Sequence, residues 1–376
     1  MARSGRPQSH SAPLSGAHLE QPVLRLGLLG FSEVQASRLV TWMQQVQPGW
    51  PEWQPFDPHV ADAWMIAGHS VEVLGRDAVV IRHPHGTDTR LTLNRTEVDR
   101  PLVFASPLPE GFASAEFFDA DDEVSVRQRL QRFEAWLRPL RTQFALGALL
   151  VERVDQYRRG VVHLTHEGKL LAVVDLDQWR VGLHIPARPV DLAAADWVRR
   201  PTLANDIPSS FIRLPLHRVM WTYAVRTRQD VLPARYRQMP VYLRRVPRMP
   251  ARWFDDLHLL IMRELTVRPG TLVDLGERTR APAAELAHHL AALYYAGAVT
   301  TDAESARRAE SRVRKDLGVL QLDQAVPDTV AVSRTMEYSQ LGVPSSTLRE
   351  AKHSPLRTIH PPHDLTAPMP LREEDA

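Results

Sequence analysis

The chain contains no cysteine, which excludes disulfides, thiolate metal sites, iron–sulfur clusters and thiol nucleophiles. Lysine is nearly absent too: of 46 cationic side chains only Lys169, Lys315 and Lys352 are lysine. A guanidinium stays protonated in proteins, so few groups remain that could act as a catalytic amine. No apolar run approaches the roughly 20 residues of a membrane span, and the opening MARSGRPQSHSAPLSG lacks the hydrophobic region of a secretory signal. Net charge is only +2, so no whole-molecule field draws the chain to nucleic acid or anionic lipid. Catalytic signatures are missing as well. There is no HExxH, no GxSxG and no GxGxxG after a strand, and Gly168-Lys169 runs into Leu170, which excludes a P-loop. These absences predict a soluble, cytoplasmic, non-enzymatic protein with no cofactor and no membrane contact.

What is present suits two or three domains. The 376 residues are 44% hydrophobic, enough for several cores and too many residues for one. Residues 1–21 and 323–376 are polar or proline-studded without apolar periodicity, which predicts disordered tails. A first block, residues 22–155, alternates apolar strand patterns with helical ones. Strands are predicted at Val23–Leu29, Ala63–Ala67 and Pro101–Ala105, with Val71–Val73 and Ala78–Ile81 as further strands and Leu91–Leu93 continuing the sheet. Helices are predicted over Glu33–Gln45 and over Val124–Val154, the latter broken at Pro139. That alternation argues for an α/β unit with a largely parallel sheet.

Residues 156–250 read as an α+β domain. Gly160–Leu164, Leu170–Val174 and Trp179–Leu183 form a meander pattern, and helices are predicted at Pro189–Arg199 and Ser209–Arg226. Residues 251–322 are helical, with helices over Phe254–Leu265, from Thr271 to Arg278 and from Pro282 to Tyr295, then Gly297 as a C-cap. The fold class expected is α/β plus α+β, in several domains.

In order of elements the first block resembles a response-regulator receiver domain. The resemblance implies acidic residues after the first strand and a phosphorylated Asp after the third. Here the first strand ends in Gly30-Phe31-Ser32 before Glu33, Ala63–Ala67 leads into Gly68-His69-Ser70, and Ser106-Pro107 stands where a lysine is expected. The resemblance therefore implies a pseudo-receiver without phosphoryl chemistry. The block from Trp253 to Leu320 resembles a winged helix in its helix–turn–helix–helix order. Its third helix carries no arginine or lysine to reach base edges, while Arg307, Arg308, Arg312, Arg314 and Lys315 follow it.

One stretch is strongly cationic. Between Arg226 and Arg252 eight arginines face Asp230 alone, with Tyr236 and Tyr242 among them. Guanidinium forks suit phosphates and aromatic faces suit bases. Arg235, Arg237, Arg244, Arg245, Arg248 and Arg252, with Arg312 and Arg314, are therefore the candidate phosphate or nucleic-acid contacts. Arg244 and Arg248 have the RxxxR spacing of PilZ-type cyclic-di-GMP modules, but the rest of that signature is missing. The contrary expectation is that these arginines pair with acids elsewhere, such as those of Glu116–Glu123. No catalytic residues and no metal ligands are assigned. His83 and His85 with Asp88, or His360 with His363, do not complete a metal site, and the adjacent His288 and His289 point in different directions on a helix. The expectation is a regulatory adaptor that binds a protein partner, with DNA or a nucleotide as further ligand. Two alternatives stand beside it: a transcription regulator using the winged helix, and an enzyme of unrecognised chemistry.

Overall fold

The computed structural model describes residues 20–309, apart from 46–49, 75–77, 83–89, 95–97, 110–116, 154–155, 158 and 248. The chain is a mixed α/β protein with one parallel sheet and further antiparallel ones. Val23–Leu29 forms β1, and Ser32 then caps helix α1 (Glu33–Met43) through a reciprocal capping box with Gln35. Strands β2 (Glu52–Pro55) and β3 (Ala63–Ala67) flank β1 in parallel. The chain next forms β4 (Val71–Val73), β5 (Ala78–Arg82) and β6 (Arg90–Asn94), then returns as β7 (Leu102–Ala105) and β8 (Phe117–Phe118). The parallel order is β2-β1-β3-β7-β8.

β6 does not continue that sheet, as the sequence had suggested, but forms a separate antiparallel sheet with β4 and β5. The physical reason is connection length, because parallel neighbours need a crossover of a dozen or more residues and these links are shorter. The small sheet covers one face of the parallel sheet. Trp64, Ile66 and Phe104 point toward it and pack with Val79, Ile81 and Leu93. Ala63, Met65, Ala67, Val103 and Ala105 point the other way, toward α1 and helix α2 (Glu123–Trp136). A strand buried on both faces reads as an unbroken apolar run, which is why Ala63–Ala67 stood out in the sequence.

Pro139 sits in the first turn of helix α3 (Arg138–Glu152), so the long amphipathic segment breaks where expected. β9 (Val161–His166), β10 (Lys169–Asp175) and β11 (Arg180–His184) form the meander. Helix α4 (Pro189–Ala193) is far shorter than predicted, and Asp196–Arg200 is strand β12, paired with β9. Trp197 and Val198 favour a pleated surface over a helix. Phe211–Pro215 is likewise strand β13, paired with β11, and helix α5 (Leu216–Ala224) starts only after Pro215. β13 is an edge strand, where a proline costs the sheet no ladder bond.

Helix α6 (Arg235–Gln238) and β14 (Tyr242–Leu243) lead into three helices: α7 (Asp256–Val267), α8 (Leu272–Thr279) and α9 (Ala283–Tyr295). Thr271 caps α8, and Gly297 takes a positive φ of 70° after α9, as the sequence predicts. β15 (Val299–Thr300) then pairs with β14. The cores are not separate. α3 places Leu140 in the core of the parallel sheet and Ala145 to Leu150 in that of the antiparallel sheet. α5 in turn shares Leu216, Val219 and Met220 with that second core, and Trp221 and Ala224 with the helical one. Among the described helices none is long and apolar enough to cross a membrane.

Candidate functional site

The arginines of the cationic stretch divide into two groups. Arg226 is buried and grips Asp62 with both guanidinium nitrogens, at 2.7 and 2.6 Å, while its Nη1 also donates to the Val23 carbonyl. Arg228 pairs with Glu52, and Arg237 with Asp230. Arg226 and Arg228 thus fasten the segment after α5 to the parallel sheet, helped by Glu20, which accepts from the Thr227 hydroxyl and the Arg228 N–H. Glu20 is therefore tied to the folded part, although the sequence had assigned it to a disordered tail. Partner acids do exist for this group, but they are Asp62, Glu52 and Asp230. Within Glu116–Glu123, Asp121 pairs with Arg38 and Glu123 with Arg127.

The second group gathers at a cleft. The Arg244 and Arg245 N–H groups both donate to the Ala298 carbonyl, at 2.7 and 3.2 Å. This anchors an otherwise exposed pair of side chains beside Gly297. Opposite them stands the β10–β11 turn. The two sides line a cavity of about 1210 Å³ with Trp179, Arg180, Arg213, His217, Arg244 and Arg245 among its walls. A neighbouring cavity of about 820 Å³ shares Trp179 and Arg244 and adds Arg235, whose guanidinium lies over the Tyr236 and Tyr294 rings. Trp179 is left half exposed, at 51%, by a left-handed backbone conformation (φ 54°).

The turn that presents Trp179 and Arg180 is held from beneath by Asp175, which is fully buried. Burial works against its ionisation, yet the Gln178 backbone N–H and the Arg180 guanidinium outweigh it and hold the carboxyl below its ordinary value. Asp206 is the only carboxylate among the described walls of the larger cavity. An electropositive cleft with an indole face can seat a phosphate and a flat base together. Of the sequence candidates, the structure brings Arg235, Arg244 and Arg245 together and places Arg237 in an ion pair. Arg248, Arg312 and Arg314 lie outside the described residues, as does the side chain of Arg252. His83, His85, Asp88, His360 and His363 lie outside them too.

Helix α9 is largely covered: Leu286, Ala287 and Leu290 to Leu293 are buried, and its exposed residues are Ala283, Ala284 and Glu285 near its start.

A second constellation was not read from the sequence. Asp255, the N-cap of α7, lies between two imidazoles: its Oδ1 is 2.7 Å from His258 Nδ1 and its Oδ2 is 2.9 Å from His289 Nε2. Two residues lie between Asp255 and His258, but His289 comes from α9, and only packing brings it in. The one available signal was the Asp255-x-x-His258 spacing at a helix start. Burial opposes charge on all three groups. The two imidazoles nevertheless hold the Asp255 carboxyl well below the carboxylate range, and Asp255 lifts His289, whereas burial prevails at His258 and pushes it down. A cavity of about 580 Å³ opens beside the cluster, with Arg25, Arg228 and His288 in its wall. Comparison of the chain with protein-family models, with curated proteins and with solved structures finds no match.

Proposed function

We propose that this is a cytoplasmic regulatory protein that acts by binding, and that the cleft around Trp179 takes an anionic ligand of the nucleotide class. One observation carries the reading: Arg180 and Arg213 from the antiparallel sheet line one cavity with Arg244 and Arg245 from the segment before the three helices, and Trp179 shares its wall. A ligand held there touches two units at once, which suits a protein that reports ligand occupancy to a partner. The parallel order 2-1-3-4-5, counting β7 and β8 as fourth and fifth, supports a receiver-like first unit. Gly30, Gly68 and Ser106 occupy its strand ends, so the reading is of a receiver-like unit without phosphoryl transfer. The last three helices with the β14–β15 pair support a winged-helix-like unit whose third helix is buried, which favours protein contact over DNA reading.

Retention of the chain on immobilised nucleotide and on heparin tests this. Arg244→Ala combined with Arg245→Ala is expected to weaken both, and to flatten the salt dependence by about one unit of slope per lost phosphate contact. Trp179→Ala is expected to weaken nucleotide retention and spare heparin, since only a base needs the indole. Unchanged retention in the double variant would defeat the reading. Binding to duplex DNA that survives it would favour the transcription-regulator alternative, through the basic residues beyond α9.

A further inference from the structure

We propose that Asp255, His258 and His289 form a binding site for a divalent transition-metal cation of the zinc class, with a fourth position open to the adjoining cavity. Convergence carries the argument: the Asp255 carboxylate, His258 and His289 bring three donor atoms together in the wall of one cavity. His289 Nδ1 lies 2.8 Å from the Glu285 carbonyl oxygen. A carbonyl only accepts, so the proton of a neutral His289 sits on Nδ1 and the lone pair of Nε2 points at a carboxylate oxygen. On the other side His258 Nδ1 receives the Asp255 backbone N–H at 3.4 Å and again faces the carboxylate. His258 is 2% exposed, and its Nε2 has no partner. Protons at the same nitrogens hold the three groups together by hydrogen bonds of 2.7 and 2.9 Å, and a metal ion competes with them for these donor atoms.

A metal ion takes both imidazoles as neutral donors. A His289 oriented by a backbone carbonyl is the arrangement that supports imidazole ligands in general. The three donor atoms lie within 4.8 Å of one another, against about 3.3 Å between tetrahedral ligands at ordinary zinc distances, so binding draws the two imidazoles together. Two imidazoles and one carboxylate suit zinc and its neighbours, and not magnesium or calcium. Three protein donors leave one coordination position open. Arg25, whose guanidinium is lowered to about 10 by burial and by Arg226, stands in the cavity wall and favours an anion in that position. This cavity shares no described wall residue with the arginine cleft, and the site is independent of the function proposed for that cleft.

The test is Co²⁺ binding by the full chain after dialysis against a chelator. Wild type is expected to take up one equivalent with the visible absorption of a four-coordinate nitrogen–oxygen site, and Zn²⁺ is expected to displace it. His289→Gln is expected to weaken binding at least tenfold, while His69→Ala, at an exposed histidine in the turn after β3, leaves it unchanged. Trp221 gives a readout that alters no ligand, because its ring centre lies 4.7 Å from that of His258. Bound Co²⁺ is expected to quench it, and Trp221→Phe is expected to lose the quenched component. The proposal is overturned if the folded wild type takes up no stoichiometric Co²⁺ or if His289→Gln binds as wild type does. It is equally overturned if quenching is the same with and without Trp221.

Discussion

At the scale of single residues, this protein keeps several charges away from water, and each has a named partner. Glu134 is 5% exposed on α2, where its Oε1 accepts from the Trp53 indole N–H at 3.1 Å. Burial pushes its carboxyl above the ordinary glutamate value, and the Trp53 bond and Arg141 only partly offset that. A carboxyl raised on folding stabilises most where it is protonated, and that contribution fades as pH rises through the folded value. Glu134→Gln keeps an acceptor for Trp53 and removes the titration. Relative to wild type, the variant is therefore expected to gain stability as pH rises from about 4.5, the ordinary glutamate value. Thermal midpoints measured from acid to neutral pH check this, and a wild-type advantage that grows toward neutral pH would contradict it. Burial of this kind was invisible beforehand, since nothing in the Phe133-Glu134-Ala135-Trp136 run shows that Trp53, 81 residues earlier in the chain, reaches the carboxyl.

Elements were legible wherever one local rule decided them. The Thr271 cap, the break at Pro139 and the turn at Gly297 all lie in the chain near the signal that announces them. β12 and β13 were misread as helix because five-residue strands with arginine inside carry little periodicity, and their partners β9 and β11 are distant in sequence. Glycines within helices show the same limit. In α8, a methyl on Gly276 would meet the Leu286 side chain at 3.7 Å, an ordinary contact. Gly276→Ala is therefore expected to stabilise by about 0.5–1 kcal/mol, the helical disadvantage of glycine. In α3, the same methyl on Gly147 would lie 2.5 Å from the Tyr223 Cβ and 3.1 Å from the Val219 carbonyl on α5. No torsion moves a Cβ aside, so the helices must separate, at about 1–3 kcal/mol of overpacking. That exceeds the propensity gain, and Gly147→Ala is expected to destabilise. Urea unfolding of the two variants should show shifts of opposite sign. Equal signs would mean that the α3–α5 crossing is looser than its geometry.

For the whole molecule, the decisive feature is that helices cross between cores. The sequence boundary at residue 155 follows the break in apolar pattern, but α3 ends just before it and gives Ala145, Leu146, Leu149 and Leu150 to the antiparallel sheet beyond. Periodicity shows that a helix has a buried face and is silent about which sheet covers it. Of the candidate sites, the sequence supplied Arg235, Arg244 and Arg245, which are close together in the chain. Trp179, Arg180, Arg213 and the Asp255–His258–His289 cluster depend on that same long-range packing. A fragment of residues 138–309 retains α3 and is expected to unfold cooperatively. A fragment of residues 156–309 exposes the face of β9, β10 and β11 that Leu146 and Leu150 cover, and is expected to lack a cooperative transition or to aggregate. Near-ultraviolet circular dichroism and urea titration of both decide the matter. If the shorter fragment unfolds with the same midpoint as the longer one, α3 belongs energetically to the parallel sheet and the boundary at 155 stands.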